Sequence, residues 1–351
     1  MDRQFHLAQI PPLEVGDRGI LPLMLNLPPF YFLSPEVGRA CERGLAVVAL
    51  ESAVITHGLP RPQNISLAHD LESLIRRQGA TPATVGVVKG IVTIGLNAGQ
   101  LEFLASAPNV QKVGPRDFAR VVARGESGGT TVGGTLVAAR RVGIQVFATG
   151  GIGGVHRRPP LEFNTKSVGK TRLSVPAQFD ISADLPQLAI TPMIVVCAGA
   201  KAILDLPATL EYLETWGVPV IGYQIDTFPA FYSQSSGLPV SVRAESPEQV
   251  ALIARTHWEM GLKSALLVVV PPPSNLALPP ETIQQAIDQA LQEETEKKVV
   301  GQQVTPFLLN RVSELTGGAS LQANLGLLRN NVQIAASIAR YLVGDIRLRR
   351  V

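Results

Sequence analysis

Short apolar runs alternate along most of this chain with longer stretches in which apolar residues return every three or four positions. Leu45–Leu50 is a continuous apolar run of strand length, and Gln145–Ala148, Ile194–Cys197, Pro219–Tyr223, Val240–Val242 and Ala265–Val270 repeat the pattern. Thr84–Leu96 predicts a hairpin that turns at Lys89-Gly90. Between the runs the period changes to that of a helix. Ser66–Gln78 sets Leu67, Leu71, Leu74 and Ile75 on one face. Further helices are predicted around Asn97–Ala105, Pro115–Arg124, Gly133–Val142, Ala208–Thr215, Pro247–Met260, Glu281–Lys297, Thr305–Thr316 and Leu325–Val343. This alternation predicts a layered α/β/α domain, with helices on both faces of a mostly parallel or mixed central sheet.

The ends and one internal stretch break the rhythm. Residues 1–33 carry Pro22, Pro28 and Pro29 and read as an N-terminal extension, flexible or docked. Met24 offers an alternative start of translation. Its apolar part is too short to span a bilayer, and it lacks the layout of a signal peptide. Residues 34–343 form one catalytic domain, and 344–351 form a basic tail. Within the domain, 157–178 is polar, basic and proline-containing, so it reads as an inserted surface loop beside the site.

Composition narrows the classes. A net charge of +3 over 351 residues, scattered along the chain, does not suggest nucleic-acid binding. The two cysteines, Cys41 and Cys197, make no disulfide framework and suit a reducing cytoplasm.

Several groups have the chemistry of a site. Sites in such folds lie at the C-terminal ends of strands, where Glu51, the glycine loop Gly150–Gly154 and Lys201 all fall. A lysine amine in low dielectric is more often neutral and nucleophilic, as a Schiff base requires. Equally, Lys201 is a stem lying along apolar surface at the start of a helix. Glu51 reads either as a general acid with a raised pKa or as half of a salt bridge. Lys112 is a second cation if its strand lies beside that of Lys201; a neighbouring cation lowers a lysine's pKa from about 10.4.

Asp180, Ser182 and Asp184 fall at i, i+2 and i+4. They offer oxygen ligands to Mg²⁺ or Mn²⁺, or they open a helix with acidic residues in its first turn. Gly150–Gly154 offers backbone N–H groups to an anion or makes a tight turn; it is not a dinucleotide fingerprint, since His156 falls where a last glycine belongs. His156 binds phosphate or caps a turn. Thr130-Thr131-Val132, at a helix start, suits phosphate or ordinary capping. Asn324 follows the Thr316-Gly-Gly318 loop, either as a helix N-cap or as an amide for substrate.

In order along the chain, these pieces carry a resemblance. Ala49-Leu-Glu-Ser52, His57-Gly-Leu-Pro60, Pro62-Gln-Asn64, Thr149-Gly-Gly-Ile-Gly-Gly-Val-His156, Phe179-Asp-Ile-Ser-Ala-Asp-Leu185 and Val196-Cys-Ala-Gly-Ala-Lys201 resemble the pseudouridine-5′-phosphate glycosidase (indigoidine synthase A) family. So do Tyr212-Leu-Glu-Thr215, Gly217-Val-Pro219, Gly222-Tyr-Gln224, Thr305-Pro-Phe-Leu-Leu309 and Glu314-Leu-Thr-Gly-Gly318; the likeness runs from about Ser34 to Val343. It implies an α/β/α homotrimeric lyase. Such an enzyme reversibly cleaves the C–C glycosidic bond of pseudouridine 5′-phosphate to uracil and ribose 5-phosphate, with Mn²⁺. By the same resemblance Lys201 forms a Schiff base at C1′ and Glu51 donates the proton. Lys112, Val132, Ser182, Ala183, Asp184, His156 and Asn324 lie against substrate, and Asp180 holds the metal. Both the 157–178 loop and the leader are longer than the family implies. Alternatives are a Schiff-base aldolase of another sugar phosphate and a non-catalytic nucleotide or sugar-phosphate sensor.

Overall fold

The computed structural model describes residues 27–157, 180–299, 301 and 304–344. The proposed tail beyond 344, most of the inserted loop and the extension up to residue 26 lie outside the described residues. The last part of that extension is not loose chain. Tyr31–Leu33 is a strand, β1, with Leu33 buried, and Ser34 caps the helix Pro35–Glu42.

The remaining strands are β2 (Val47–Leu50), β3 (Thr81–Val88), β4 (Ile91–Ile94), β5 (Gln111–Val113), β6 (Gly128–Thr130), β7 (Val146–Ala148), β8 (Val155–His156), β9 (Ile194–Cys197), β10 (Leu204–Asp205), β11 (Val220–Tyr223), β12 (Val242–Ala244) and β13 (Leu266–Val269). The main sheet runs β1-β4-β3-β2-β7-β9-β13-β11-β12. From β3 to β12 every neighbour is parallel. β3 and β4 form the expected antiparallel hairpin, with Lys89 and Gly90 both at positive φ, 48° and 79°, as a two-residue turn of this hand requires. The sheet is therefore mixed.

The central strands are apolar at every position because both faces are covered. The helices Gln63–Arg77 and Pro247–Glu259 both pack against the helix Ala319–Val343, and the three form one layer. The helices Val132–Arg141, Asp184–Ile190 and Leu206–Thr215 form the other. The long helix Ala319–Val343 crosses β2, β7 and β9 directly. None of the described helices is long and apolar enough to cross a membrane.

Three expectations shift. The last helix begins at Ala319, straight after Gly317-Gly318, so Asn324 sits within it and is not its N-cap. The strand expected at Val240–Val242 is Val242–Ala244. β5, which carries Lys112, pairs only with β6 and does not lie beside the strand of Lys201.

Candidate active site

β2 delivers Glu51 to the C-terminal edge of the sheet, and the residue after it fixes the direction. Ser52 is fully buried; its Oγ donates to Val85 O at 2.5 Å and accepts from Thr130 N at 3.0 Å, tying β2 to β3 and β6. Glu51 lines a cavity of about 370 Å³. The Thr149 hydroxyl, one residue beyond β7, donates to Glu51 Oε1. The Thr149 carbonyl in turn accepts from Asn331 Nδ2 at 2.8 Å, inside the long helix.

Lys201 enters the same cavity from β9. The chain turns at Gly199, whose φ of +87° is left-handed and where a side chain would meet Pro229 O at 2.7 Å. Lys201 N then donates to Ile152 O at 3.1 Å, so the glycine loop after β7 holds the Lys201 backbone.

Asp184 opens the helix Asp184–Ile190 and stands in its first turn, the second of the two readings its spacing allows. Its side chain is turned inward and buried. Oδ1 accepts from Gly133 N at 2.8 Å and Oδ2 from Gly153 N at 2.9 Å. One carboxylate thus ties the start of the helix Val132–Arg141 to the glycine loop, with its negative charge at two helix N-termini. Gly153 must be glycine, because an added Cβ would lie 2.2 Å from Ser182 Oγ.

All ten sequence-predicted residues line this cavity: Glu51, Lys112, Val132, His156, Asp180, Ser182, Ala183, Asp184, Lys201 and Asn324. Although β5 and β9 are not neighbours, the Lys112 and Lys201 amines converge here. The cavity also takes in Thr131, which caps the helix Val132–Arg141 as one of its two readings allows, and His57, Arg116, Phe231 and Thr305, to which the sequence assigns no role. Thr149 was quoted only within a glycine motif; its position at the end of a strand, like Glu51, was the available signal. Phe231 holds a left-handed φ of 63° and packs on Gly151, which nothing in its sequence context announces.

The charges oppose one another. Glu51 keeps some exposure through the cavity, but the dense protein around it raises its pKa. Lys201, the Thr149 hydroxyl and Lys112 work the other way, while Asp184 adds to the rise. Burial lowers the pKa of Lys112, and Lys201 lowers it further against the pull of Asp184 and Glu51. Burial also lowers His156; Asp180 counters this, at 3.8 Å from Nδ1, while Lys201 and Lys112 add to it. His57 is lowered by burial first and by Lys112 second, and its Nδ1 lies 2.6 Å from Thr56 Oγ1.

Of the Asp180, Ser182 and Asp184 trio, Asp184 already accepts one backbone N–H group on each carboxylate oxygen. Among the described residues, no three His, Cys, Asp or Glu side chains converge as metal ligands. Asp180 is a largely solvent-facing carboxylate on the cavity wall. One such oxygen donor fits a hard divalent ion completed by waters and ligand oxygens.

The sequence profile of the indigoidine synthase A-like proteins matches residues 36–341. The chain belongs to the indigoidine synthase A-like family. It is 46% identical over 310 residues to a pseudouridine-5′-phosphate glycosidase of Caldanaerobacter subterraneus subsp. tengcongensis, covering 88% of this chain and 96% of that protein. With a pseudouridine-5′-phosphate glycosidase of Escherichia coli it shares 47% identity over 309 residues, covering 88% and 94%. Two solved family folds superpose on it. One is an indigoidine synthase A-like protein of Thermotoga maritima, with TM-score 0.78, 35% identity and coverage of 90% and 97%. The other is the prealnumycin C-glycosynthase AlnA in complex with ribulose 5-phosphate, with TM-score 0.78, 36% identity and coverage of 90% and 98%. In this family member the matched span takes in every residue that lines the cavity.

Proposed function

We propose that this protein is a pseudouridine-5′-phosphate glycosidase, a lyase that reversibly converts pseudouridine 5′-phosphate and water to uracil and ribose 5-phosphate. The observation that carries the reading is the meeting of Glu51 and Lys201 across one cavity, each from the C-terminal end of a different central strand. The identities of 46% and 47% to proteins of that name supply the substrate.

The chemistry follows from the bond to be broken. Ordinary glycosidases protonate a leaving oxygen with one of two carboxylates. Here the leaving atom is C5 of uracil, so cleavage needs both a proton on that carbon and an acceptor for positive charge at C1′. The Lys201 amine bonds to C1′ as the C1′–O4′ bond opens and O4′ takes a proton. Glu51, whose protonated form burial favours, then protonates C5. The C1′–C5 pair goes to uracil while the lysine nitrogen forms C=N with C1′. Water hydrolyses the imine, releasing ribose 5-phosphate and the free amine. Proton transfer of this kind contributes typically about 10²- to 10⁴-fold.

Lys112, Val132, His156 and the Ser182–Asp184 segment hold the phosphate end, and Asn324 a sugar hydroxyl, so that C1′ is presented to Lys201 in near-attack geometry. Lys112 opposes the phosphate charge. Asp180 would hold Mn²⁺, which when bound supplies a further positive charge for substrate oxygens. The same reading makes the protein a homotrimer of the cytoplasm. The likeness to AlnA favours one competitor, a C-glycoside-forming enzyme on another sugar phosphate and another carbon acid.

Uracil release from pseudouridine 5′-phosphate with Mn²⁺ tests the reading on wild type and Lys201→Ala together. Release that falls by at least about a hundredfold in the variant is expected. Folded wild type that releases no uracil discards the substrate.

A further inference from the structure

We propose that Arg157 is a positioning residue for Lys201, its guanidinium fork fixing the turn that carries the nucleophile. The proposal rests on the lyase reading above and concerns how its nucleophile is held.

The turn from Lys201 to Asp205 has little ladder of its own. Lys201 O accepts from Leu204 N at 3.0 Å, and the two-residue β10 pairs with β8 through Leu204 and His156. Ala202, Ile203 and Leu204 are buried, so their carbonyls need partners inside the protein. Arg157 supplies two. Its Nε donates to Leu204 O at 3.1 Å, and its Nη2 to Ala202 O at 3.0 Å. Lys201 lies between this fork and the Ile152 carbonyl that takes its N–H.

An arginine suits the task better than any other cation. Two carbonyls at i and i+2 call for two N–H groups in one rigid plane, which a guanidinium presents and an ammonium does not. The remaining corner, Nη1, lies 3.7 Å from Asp288 Oδ1 on the helix Pro280–Lys297. Asp288 is 62% exposed, and an ion pair of that kind adds little. The two carbonyl bonds carry the argument.

Arg157 follows His156 directly, so one two-residue step places both a cavity wall and a brace for the nucleophile. Losing the fork leaves the cavity's walls in place but frees the Ala202 and Leu204 peptides. A displacement of about an ångström at a nucleophile costs up to about a hundredfold in rate.

The experiment traps the imine. Ribose 5-phosphate is the probe: its C1 aldehyde condenses with the Lys201 amine, a C–N bond forms, water leaves, and borohydride delivers hydride to the C=N carbon. The product is a stable secondary amine located by peptide mass. Wild type, Arg157→Lys and Arg157→Met are compared, with each rate normalised to folded protein by near-ultraviolet circular dichroism. We expect wild type to be labelled on Lys201. Both variants should label about tenfold or more slowly at saturating ribose 5-phosphate, with the half-saturating concentration within about threefold of wild type. Arg157→Lys should not rescue the rate.

A purely structural role predicts lowered thermal stability with a wild-type labelling rate per folded molecule, and that result overturns the proposal. So does full rescue by Arg157→Lys, which would reduce the fork to a point charge. If Arg157→Met does not fold, Arg157→Lys, which keeps the stem and the charge, decides alone. Wild type that is not labelled on Lys201 overturns the lyase reading and this proposal together, and is told apart by the wild-type lane.

Discussion

Replacing Asp184 should cost stability before it costs substrate affinity. Its two oxygens each accept a buried backbone N–H, from Gly133 at 2.8 Å and Gly153 at 2.9 Å. Asp184→Ala leaves both donors without a partner. An unsatisfied buried donor costs about 1–3 kcal/mol, so the pair costs about 2–6 kcal/mol. Unfolding entropy near 2.1 cal/mol/K per residue gives about 0.7 kcal/mol/K for 351 residues. The expected fall in Tm is therefore about 3–8 °C. Asp184→Asn keeps the shape and one acceptor but turns an amide N–H₂ toward the second donor, so it should lose about half as much. Differential scanning calorimetry on the three proteins without ligand is the assay. If Asp184 served only to contact substrate, neither variant would move Tm and only KM would rise. An alanine variant within about 1 °C of wild type would refute the clamp.

Other outcomes follow from the same geometry. Thr149→Val removes the hydroxyl that stabilises the Glu51 carboxylate, so Glu51 holds its proton to higher pH. The descending basic limb of kcat/KM for uracil release should then move upward, and an unmoved limb would separate Glu51 from the proton transfer. Glu51→Gln should lower uracil release by about 10²- to 10⁴-fold. It should also stabilise the fold at alkaline pH. Burial raises the Glu51 pKa above its unfolded value, so the stability present at low pH is lost as pH rises through the folded pKa, and the glutamine escapes that loss. A Tm gain equal at pH 4 and pH 8 would contradict this. Asp180→Asn should raise the Mn²⁺ concentration needed for half-maximal activity by about tenfold or more, and an unchanged titration would move the ion elsewhere.

Much of this was legible in the sequence because the relevant physics is local. Val47–Leu50 and Ile194–Cys197 are too short and too apolar for anything but buried strands, and the residues just past them had to lie at a sheet edge. The Lys89-Gly90 turn announced its own hand. Other features depended on partners far along the chain. The inward turn of Asp184 is set by N–H groups of Gly133 and Gly153, which share no periodicity with it. Lys112 reaches Lys201 across a cavity rather than along a sheet, since β5 pairs off the main path. The last helix starts six residues before the expected Leu325, because Ser320, Gln322 and Asn324 interrupt the apolar period there, although Gly318 marks the place. Thr149 opens a motif dominated by glycines, and Arg157 falls just past it, at the first position of the polar 157–178 stretch.

The last long helix also dictates when the enzyme can begin to work. Ala319–Val343 covers β2, β7 and β9 and carries both Asn324 and Asn331, the latter bound to Thr149 across 182 residues of sequence. At about 5–20 residues per second, a ribosome that has just added Lys201 needs about 7 to 30 s more to reach the end of that helix. Through that interval the face of β2, β7 and β9 that the helix covers lacks its partner. The nascent chain already holds Glu51 and Lys201, yet lacks Asn324, which lines the same cavity. A chain without that helix therefore exposes the apolar face and lacks part of its cavity wall until synthesis is nearly done.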